Sequence, residues 1–214
     1  MSVNLNPEKA LIFRIVHVDN VPWILDHDGL HCRNWPEPNP NYVNIGHPEL
    51  IEKRSRRVVP IPPGGTLSDF VPFYFTPFSI MMYHIRTGHG GIPRRENREI
   101  VMFVSSVHHL RGHGVPFIFT NQHAYAVDTE FFPGVDALNR IDWSLLQSRN
   151  FKTDDADPGK QSRYQAEALV HRHVPLAGLL GMGCNDDAVR DRLAGWISAR
   201  GLQIPVKTTP SWYF

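Results

Sequence analysis

Two cysteines, Cys32 and Cys184, are all that the sequence offers for cross-linking, and their spacing fits neither a metal knuckle nor a redox pair. A disulfide scaffold is thereby excluded, and a reducing cytosol is the expected compartment. No apolar run approaches the roughly 20 residues a helix needs to cross a bilayer, and the N-terminus does not read as a secretory leader. Charge of one sign is also missing. Lys and Arg number 22 against 21 Asp and Glu, a net charge of +1, so any affinity for nucleic acid must come from local basic clusters. There is no glycine-rich phosphate loop, no dinucleotide fingerprint and no nucleophile elbow.

What remains is an ordinary globular composition, 42% apolar and 20% charged over 214 residues, long enough for a substantial core. With no internal repeat and no clean linker, residues 1–214 read as one α+β domain. Asn6-Pro7 offers a cap with proline at a first helical position, ahead of an apolar strand from Ala10 to Val18. Val21 to Asp26 reads as a short helix closed by Gly29. From Asn34 to Gly65, seven prolines surround the basic run Lys53 to Arg57, which indicates a working loop. Val71 to Thr76, Glu99 to Val104 and Val115 to Thr120 are further strands, with a short helix over Phe78 to Ile85. Asp142 caps another short helix. Between Asn185 and Arg200, Val189, Leu193, Trp196 and Ile197 make one helical stripe, and a final strand is expected over Gln203 to Lys207.

One charge is out of place. Tyr164 to Val170 alternates as a strand, and Glu167 falls halfway along it, where a carboxylate is a poor fit unless the site uses it. Twelve histidines raise the question of a metal. His108, His109 and His113 form one group and His171 with His173 another. On a strand only the second pair shares a face, and no carboxylate sits at a spacing that completes a zinc set.

Taken in order, Leu11 to Asn20, Asn44 to Ile51 with Lys53-Arg54, Val71 to Ser79, Phe119 to Tyr125, Tyr164 to Leu169 and Ser211 to Phe214 closely resemble the DarT family in its thymidine-modifying branch. These are the DNA ADP-ribosyltransferase toxins of bacterial toxin–antitoxin pairs. The resemblance implies an ADP-ribosyltransferase fold, with two facing, mostly antiparallel sheets flanked by helices and an NAD⁺ cleft between them. It implies transfer of ADP-ribose from NAD⁺ to a thymine ring nitrogen in single-stranded DNA, in a sequence-dependent manner that blocks replication. It also implies a macrodomain antitoxin that removes the mark. NAD⁺ is then a co-substrate, no metal is called for, and a cytoplasmic monomer is expected. Transferases acting on guanine, RNA or protein, and a binding module without turnover, remain the alternatives.

By the same resemblance Glu167 is the catalytic glutamate and Arg54 the functional arginine. A carboxylate that grips a ribose hydroxyl more tightly as the sugar turns cationic would lower the barrier selectively. A guanidinium hardly gives up its proton, so Arg54 suits stabilising a thymine anion better than acting as a base. His17 corresponds to the family's NAD⁺-binding histidine. Asn20, Tyr74 and either Met81 or Met82 are expected to line the same cleft, with Arg54. His123 matches a residue near the target base. Arg56, Arg57, Arg94, Arg95 and Lys152 are candidates for phosphate contacts. The stretch Arg149 to Arg163 stands where such enzymes keep a target-recognition loop, and its basic members should face DNA while Asp154, Asp155 and Asp157 face away.

Overall fold

A strand buried on both faces, Leu11–His17 (β1), runs through the centre of the protein with Phe13 and Val16 wholly buried. The computed structural model describes residues 4–214. Ahead of β1 the Asn6 cap forms, its side chain accepting from Lys9 N–H at 2.9 Å, but Ala10 at φ 37° turns the chain straight into the strand, so no helix follows. Helix α1 (Val21–Asp26) ends at His27 rather than Gly29. Gly29 instead opens β2 (Gly29–His31) at φ 120°, where a Cβ would stand 2.0 Å from the Val174 carbonyl. Only glycine allows that approach.

The proline-rich stretch holds a helix that the sequence hides, α2 (Pro48–Arg56). None of its residues is buried, so it carries no apolar stripe to read. Its ends and charges account for it. Proline opens the helix, Glu49 lies in the first turn, Lys53, Arg54 and Arg56 lie in the last, and Glu52 and Arg56 pair at 2.6 Å.

The next elements are β3 (Phe70–Tyr74), α3 (Ile80–Thr87), β4 (Ile100–Ser106), α4 (Val107–Gly112), β5 (Phe117–Thr120) and β6 (Phe131–Phe132). Then come α5 (Trp143–Ser148), α6 (Lys160–Arg163), β7 (Glu167–His171), β8 (His173–Pro175), β9 (Gly181–Cys184), α7 (Asp187–Ser198) and β10 (Val206–Thr208). Asp142 caps α5 through Leu145 N–H as expected, and Asp186 caps α7 through Val189 N–H. Val189, Leu193 and Ile197 bury the inner stripe of α7. His108 and His109 lie on α4, not on a strand.

Eight strands form one ladder in the order β10-β9-β4-β1-β3-β7-β5-β6, antiparallel except for β10 against β9. The expected pair of sheets corresponds to its two halves. β1 pairs with β4 along its whole length, from Leu11 opposite Ser106 to His17 opposite Ile100, and β3 pairs with β7 from Phe70 opposite His171 to Tyr74 opposite Glu167. Between the halves there is one residue pair, Phe13 opposite Tyr74. β2 and β8 form a separate two-stranded ladder. On one face of the sheet Trp212 packs edge-on to Phe13 at 5.2 Å, over a bare Gly183 whose Cβ would meet the indole at 2.6 Å. Among the described residues no helix is long and apolar enough to cross a membrane.

Candidate active site

Glu167 opens β7 rather than sitting halfway along it. The chain reaches it through α6, whose Arg163 is held by Asp157 at 2.6 Å and by Asp142 at 3.4 Å, and through the wholly buried Tyr164. The carboxylate is 2% exposed. Its Oε1 accepts from the Ala124 N–H at 3.0 Å and from Arg54 Nη1 at 3.1 Å. Arg54 Nη2 stands 3.0 Å from Oε2 but off the hydrogen-bonding direction, so the pair is a close ion contact with one aligned bond and one N–H left over. Burial by itself would raise the Glu167 carboxyl. Arg54, His123 and the hydrogen bonds from Arg54 and Ala124 outweigh burial and hold it below the usual carboxylate range. The group is therefore an anion, kept so at depth by a partner 113 residues away.

The loop after β5 supplies the rest of the setting. The Thr120 hydroxyl, fully buried, accepts from the Glu167 N–H at 3.2 Å and donates to the Gln122 carbonyl at 2.6 Å. That contact folds residues 121–124 back over the start of β7 and brings the Ala124 N–H onto the carboxylate. His123 follows from the same turn. Its Nδ1 accepts from Tyr125 N–H at 3.2 Å, which assigns the ring proton to Nε2. Burial, reinforced by Arg54 and opposed by Glu167, lowers the imidazole's affinity for a second proton, so it is neutral at neutral pH. Tyr74, opposite Glu167 in the ladder, is driven well above 10 by burial and by the neighbouring carboxylate, and keeps its hydroxyl proton.

These groups face a cavity of about 590 Å³ that runs along the thin seam between β1 and β3. This size falls in the range of pockets that bury a cofactor-sized molecule. Glu167, Arg54, His123, Tyr74 and Met81 all line it, whereas Met82 is wholly buried in the core. His17 and Asn20, expected to touch a dinucleotide, are not on its wall. The buried His17 ring accepts from Asp19 N–H at 3.2 Å and faces Glu99 at 3.4 Å. The buried Asn20 side chain exchanges two hydrogen bonds with the Val43 backbone, at 2.8 and 2.9 Å. Its polar atoms are used to pin the 39–44 loop, and that loop contributes Asn39, Tyr42 and Asn44 to the wall.

The basic residues divide differently from the expectation. None of Arg56, Arg57, Arg94, Arg95 and Lys152 lines the cavity. Arg57 donates to the Ala126 carbonyl at 3.0 Å and ties α2 to the His123 loop, while Arg95 pairs with Glu99 at 3.3 Å and Arg56 with Glu52. Arg94 and Lys152 are exposed. Asp154 and Asp157 are paired with Lys160 and Arg163, so ion pairing within the segment offsets their charge. Arg14, by contrast, had no assigned role, yet it lines the cavity from β1 and donates to the Pro72 carbonyl at 3.2 Å. An arginine inside an apolar strand is the same kind of anomaly as a glutamate there.

The histidine pair also separates. Arg172, at φ 62°, breaks the chain between β7 and β8, so the His171 ring lies 5.3 Å from Phe70 while the His173 ring stacks on His31. Among the described residues no three ligating side chains gather in a metal-binding arrangement.

The chain is similar to known proteins along nearly its whole length. Residues 13–214 match the family model described as ssDNA thymidine ADP-ribosyltransferase, DarT. A DNA ADP-ribosyl transferase from Escherichia coli O127:H6 (strain E2348/69 / EPEC) is 51% identical over 213 residues, covering 100% of this chain and 97% of that protein. The structure of Thermus sp. 2.9 DarT in complex with ADP-ribosylated ssDNA superposes with a TM-score of 0.90 at 29% identity, covering 100% of both chains. The same protein in complex with NAD⁺ gives 0.85 at 28% identity, over 97% of this chain and 99% of that one.

Proposed function

The chain belongs to the DarT family of DNA ADP-ribosyltransferases, and from that premise we propose that it moves ADP-ribose from NAD⁺ to a thymine of single-stranded DNA. The observation that carries the reading is the buried Glu167 carboxylate, held ionised at the wall of a cavity large enough for a dinucleotide. NAD⁺ supplies the ADP-ribosyl group and a nicotinamide that departs with the bond's electrons. Glu167 holds a ribose hydroxyl, and its grip tightens as the sugar becomes electron-poor, so binding energy is spent where the barrier lies. Arg54 fixes the carboxylate with one N–H and has another free, placed to meet negative charge on the base as its ring proton leaves for solvent. The neutral His123 presents Nε2–H to a carbonyl of the same base. Tyr74 and Met81 give the nicotinamide end an apolar wall.

A thymine N3 lies on the pairing edge and is hidden in a duplex, so the base must arrive unpaired. Arg94 and Lys152, both exposed, are free to meet strand phosphates, and the exposed Arg56 could join them by giving up Glu52. Residues 1–214 act as one transferase domain. The modified strand stalls replication, and a macrodomain antitoxin reverses the mark. The test is incubation with NAD⁺ and short single strands that contain one thymine or none, with the adduct located by mass spectrometry. Adducts should appear on thymine alone and be absent from the matching duplex. Labelling of guanine, RNA or protein in place of thymine would overturn the assignment.

Thr120 gives a second test of the same geometry. Thr120→Val keeps the shape but removes the acceptor for the Glu167 N–H and the donor to Gln122, and leaving a buried partner unpaired costs about 1–3 kcal/mol. Turnover should fall about tenfold with KM for NAD⁺ nearly unchanged, and Thr120→Ser should restore it. A serine variant as slow as the valine variant would show that the hydroxyl does not position the carboxylate.

A further inference from the structure

Outside the cavity, three parts of the chain distant in sequence meet in a knot of aromatic rings that the reaction, as described, does not use. Phe151 follows α5, Tyr83 lies on α3 two residues beyond Met81, and the Phe214 carbonyl accepts from the Asn97 side chain at 3.0 Å. The Phe151 ring stands 5.7 Å from Tyr83, 5.9 Å from Phe214 and 5.4 Å from the wholly buried Tyr164, each pair tilted or edge-on. Rings in such arrangements attract beyond the burial of their area. Just ahead of them Arg149 sits at φ 53°, a left-handed conformation that is costly for a side chain, and its guanidinium lies 3.7 Å over the Phe78 ring. Together these contacts fix where the chain goes after α5.

Lys152 to Ala156 are all exposed, so the ring of Phe151 is what anchors this loop to the core. The loop closes on itself through Lys160 with Asp154 at 3.5 Å and Arg163 with Asp157 at 2.6 Å. Two hydrogen bonds carry its position on to the active site. The Gln161 side chain donates to the Phe151 carbonyl at 3.0 Å, and the carbonyl of Ser162, next on α6, accepts from the His123 N–H at 2.9 Å. His123 lines the cavity, whereas Phe151, Tyr83 and Phe214 do not.

We propose that Phe151 is a positioning residue for base recognition: clasped by Tyr83 and Phe214, it holds α6 in place, and α6 holds His123 against the target base. The inference rests on the reading that His123 meets thymine. A shift of about 1 Å in α6 is enough to take the Nε2–H off line with the base. The Glu167 carboxylate is fixed separately, by Arg54 on α2. The step that senses Phe151 is therefore binding of the base, and the hold on NAD⁺ is not.

The experiment uses the full chain with Phe151→Ala, Phe151→Tyr and Tyr83→Ala, each also combined with His123→Ala. Fluorescence anisotropy gives Kd for a labelled single strand with one thymine, over a range of salt, and for the same strand with that position abasic. KM for NAD⁺ is measured alongside. One aligned hydrogen bond to a base is worth about tenfold in Kd. Phe151→Ala should therefore weaken the thymine strand about tenfold, with the abasic strand and the NAD⁺ KM within about twofold and the salt slope unchanged. Phe151→Tyr, which keeps the ring, should bind like wild type. In the His123→Ala background Phe151→Ala should cost nothing further, the mark of two residues acting as one. Tyr83→Ala removes one jaw of the clasp and should show the same pattern at smaller size, also where Phe151→Ala does not fold. A thymine-strand Kd within about twofold of wild type, or a full loss retained in the His123→Ala background, would overturn the proposal. So would a salt slope reduced by about one, which would trace the loss to a Lys152 phosphate contact instead. Failure of the underlying reading would be seen separately, in a wild-type chain that binds the thymine and abasic strands alike.

Discussion

Glu167→Gln should lose ADP-ribosyl transfer by about a thousandfold and keep its fold. Glutamine preserves the volume and the acceptor for the Ala124 N–H, so the turn over β7 is expected to stay in place. What it removes is the negative charge, and preorganised charge facing a developing cation is worth a factor of about 10²–10³. The amide also cannot accept from Arg54 at both ends, so the guanidinium loses its closest anion. Initial rates on a thymine-containing single strand, with near-UV circular dichroism as the check on fold, measure the effect. A glutamine variant that retains a tenth of wild-type turnover would remove Glu167 from the catalytic role.

The second large effect belongs to Arg54, and its sign follows from the carboxyl it holds. In the folded protein Glu167 is depressed despite its burial, chiefly by Arg54. The stabilisation from that contact is therefore complete above the ordinary carboxylate pKa and disappears as pH falls through the lower, folded value. Arg54→Ala takes away the attraction and leaves burial, so the carboxyl should rise and the ionised, active form should be lost earlier on acidification. The acidic limb of kcat/KM is expected to move to higher pH, with turnover at neutral pH reduced a hundredfold or more. Leaving a buried carboxylate without its partner should also cost about 3–5 kcal/mol of stability, read by urea unfolding. Arg54→Lys restores a charge but not the fork, so it should return the pH limb towards wild type while recovering little of the rate. An acidic limb that stays put in Arg54→Ala would show that some other group keeps Glu167 ionised.

The elements legible in the sequence are those whose signal is local. The cap at Asp142 and the stripe through Val189, Leu193 and Ile197 are recovered within a residue or two, because capping and period are properties of neighbours. Helix α2 was not legible, since its stability comes from end charges and ion pairs and no apolar face marks it. Glu167 stood out as a misplaced charge, but its place at the start of β7 depends on α6 and on the buried Tyr164, and alternation could not supply either. Its pairing with Arg54, its hold on the Ala124 N–H and the Thr120 contact join residues 43 to 113 positions apart. No periodicity reports on contacts of that range. His171 and His173 parted because of one left-handed residue, Arg172, and positive φ at an arginine leaves no compositional trace.

β1 and β3 meet through one residue pair, where β1 and β4 share seven and β3 and β7 share five. Along that line the two halves are held by the side chains beneath them far more than by peptide hydrogen bonds. Interlocked peptides keep strands at one spacing, whereas packed side chains let two surfaces roll. A turn of one half against the other about Phe13 and Tyr74, as the covers of a book turn about its spine, would thus strain a single backbone pairing. Arg14 rides on one cover and Glu167 on the other, so the two charges that line the cavity belong to surfaces joined by that one rung.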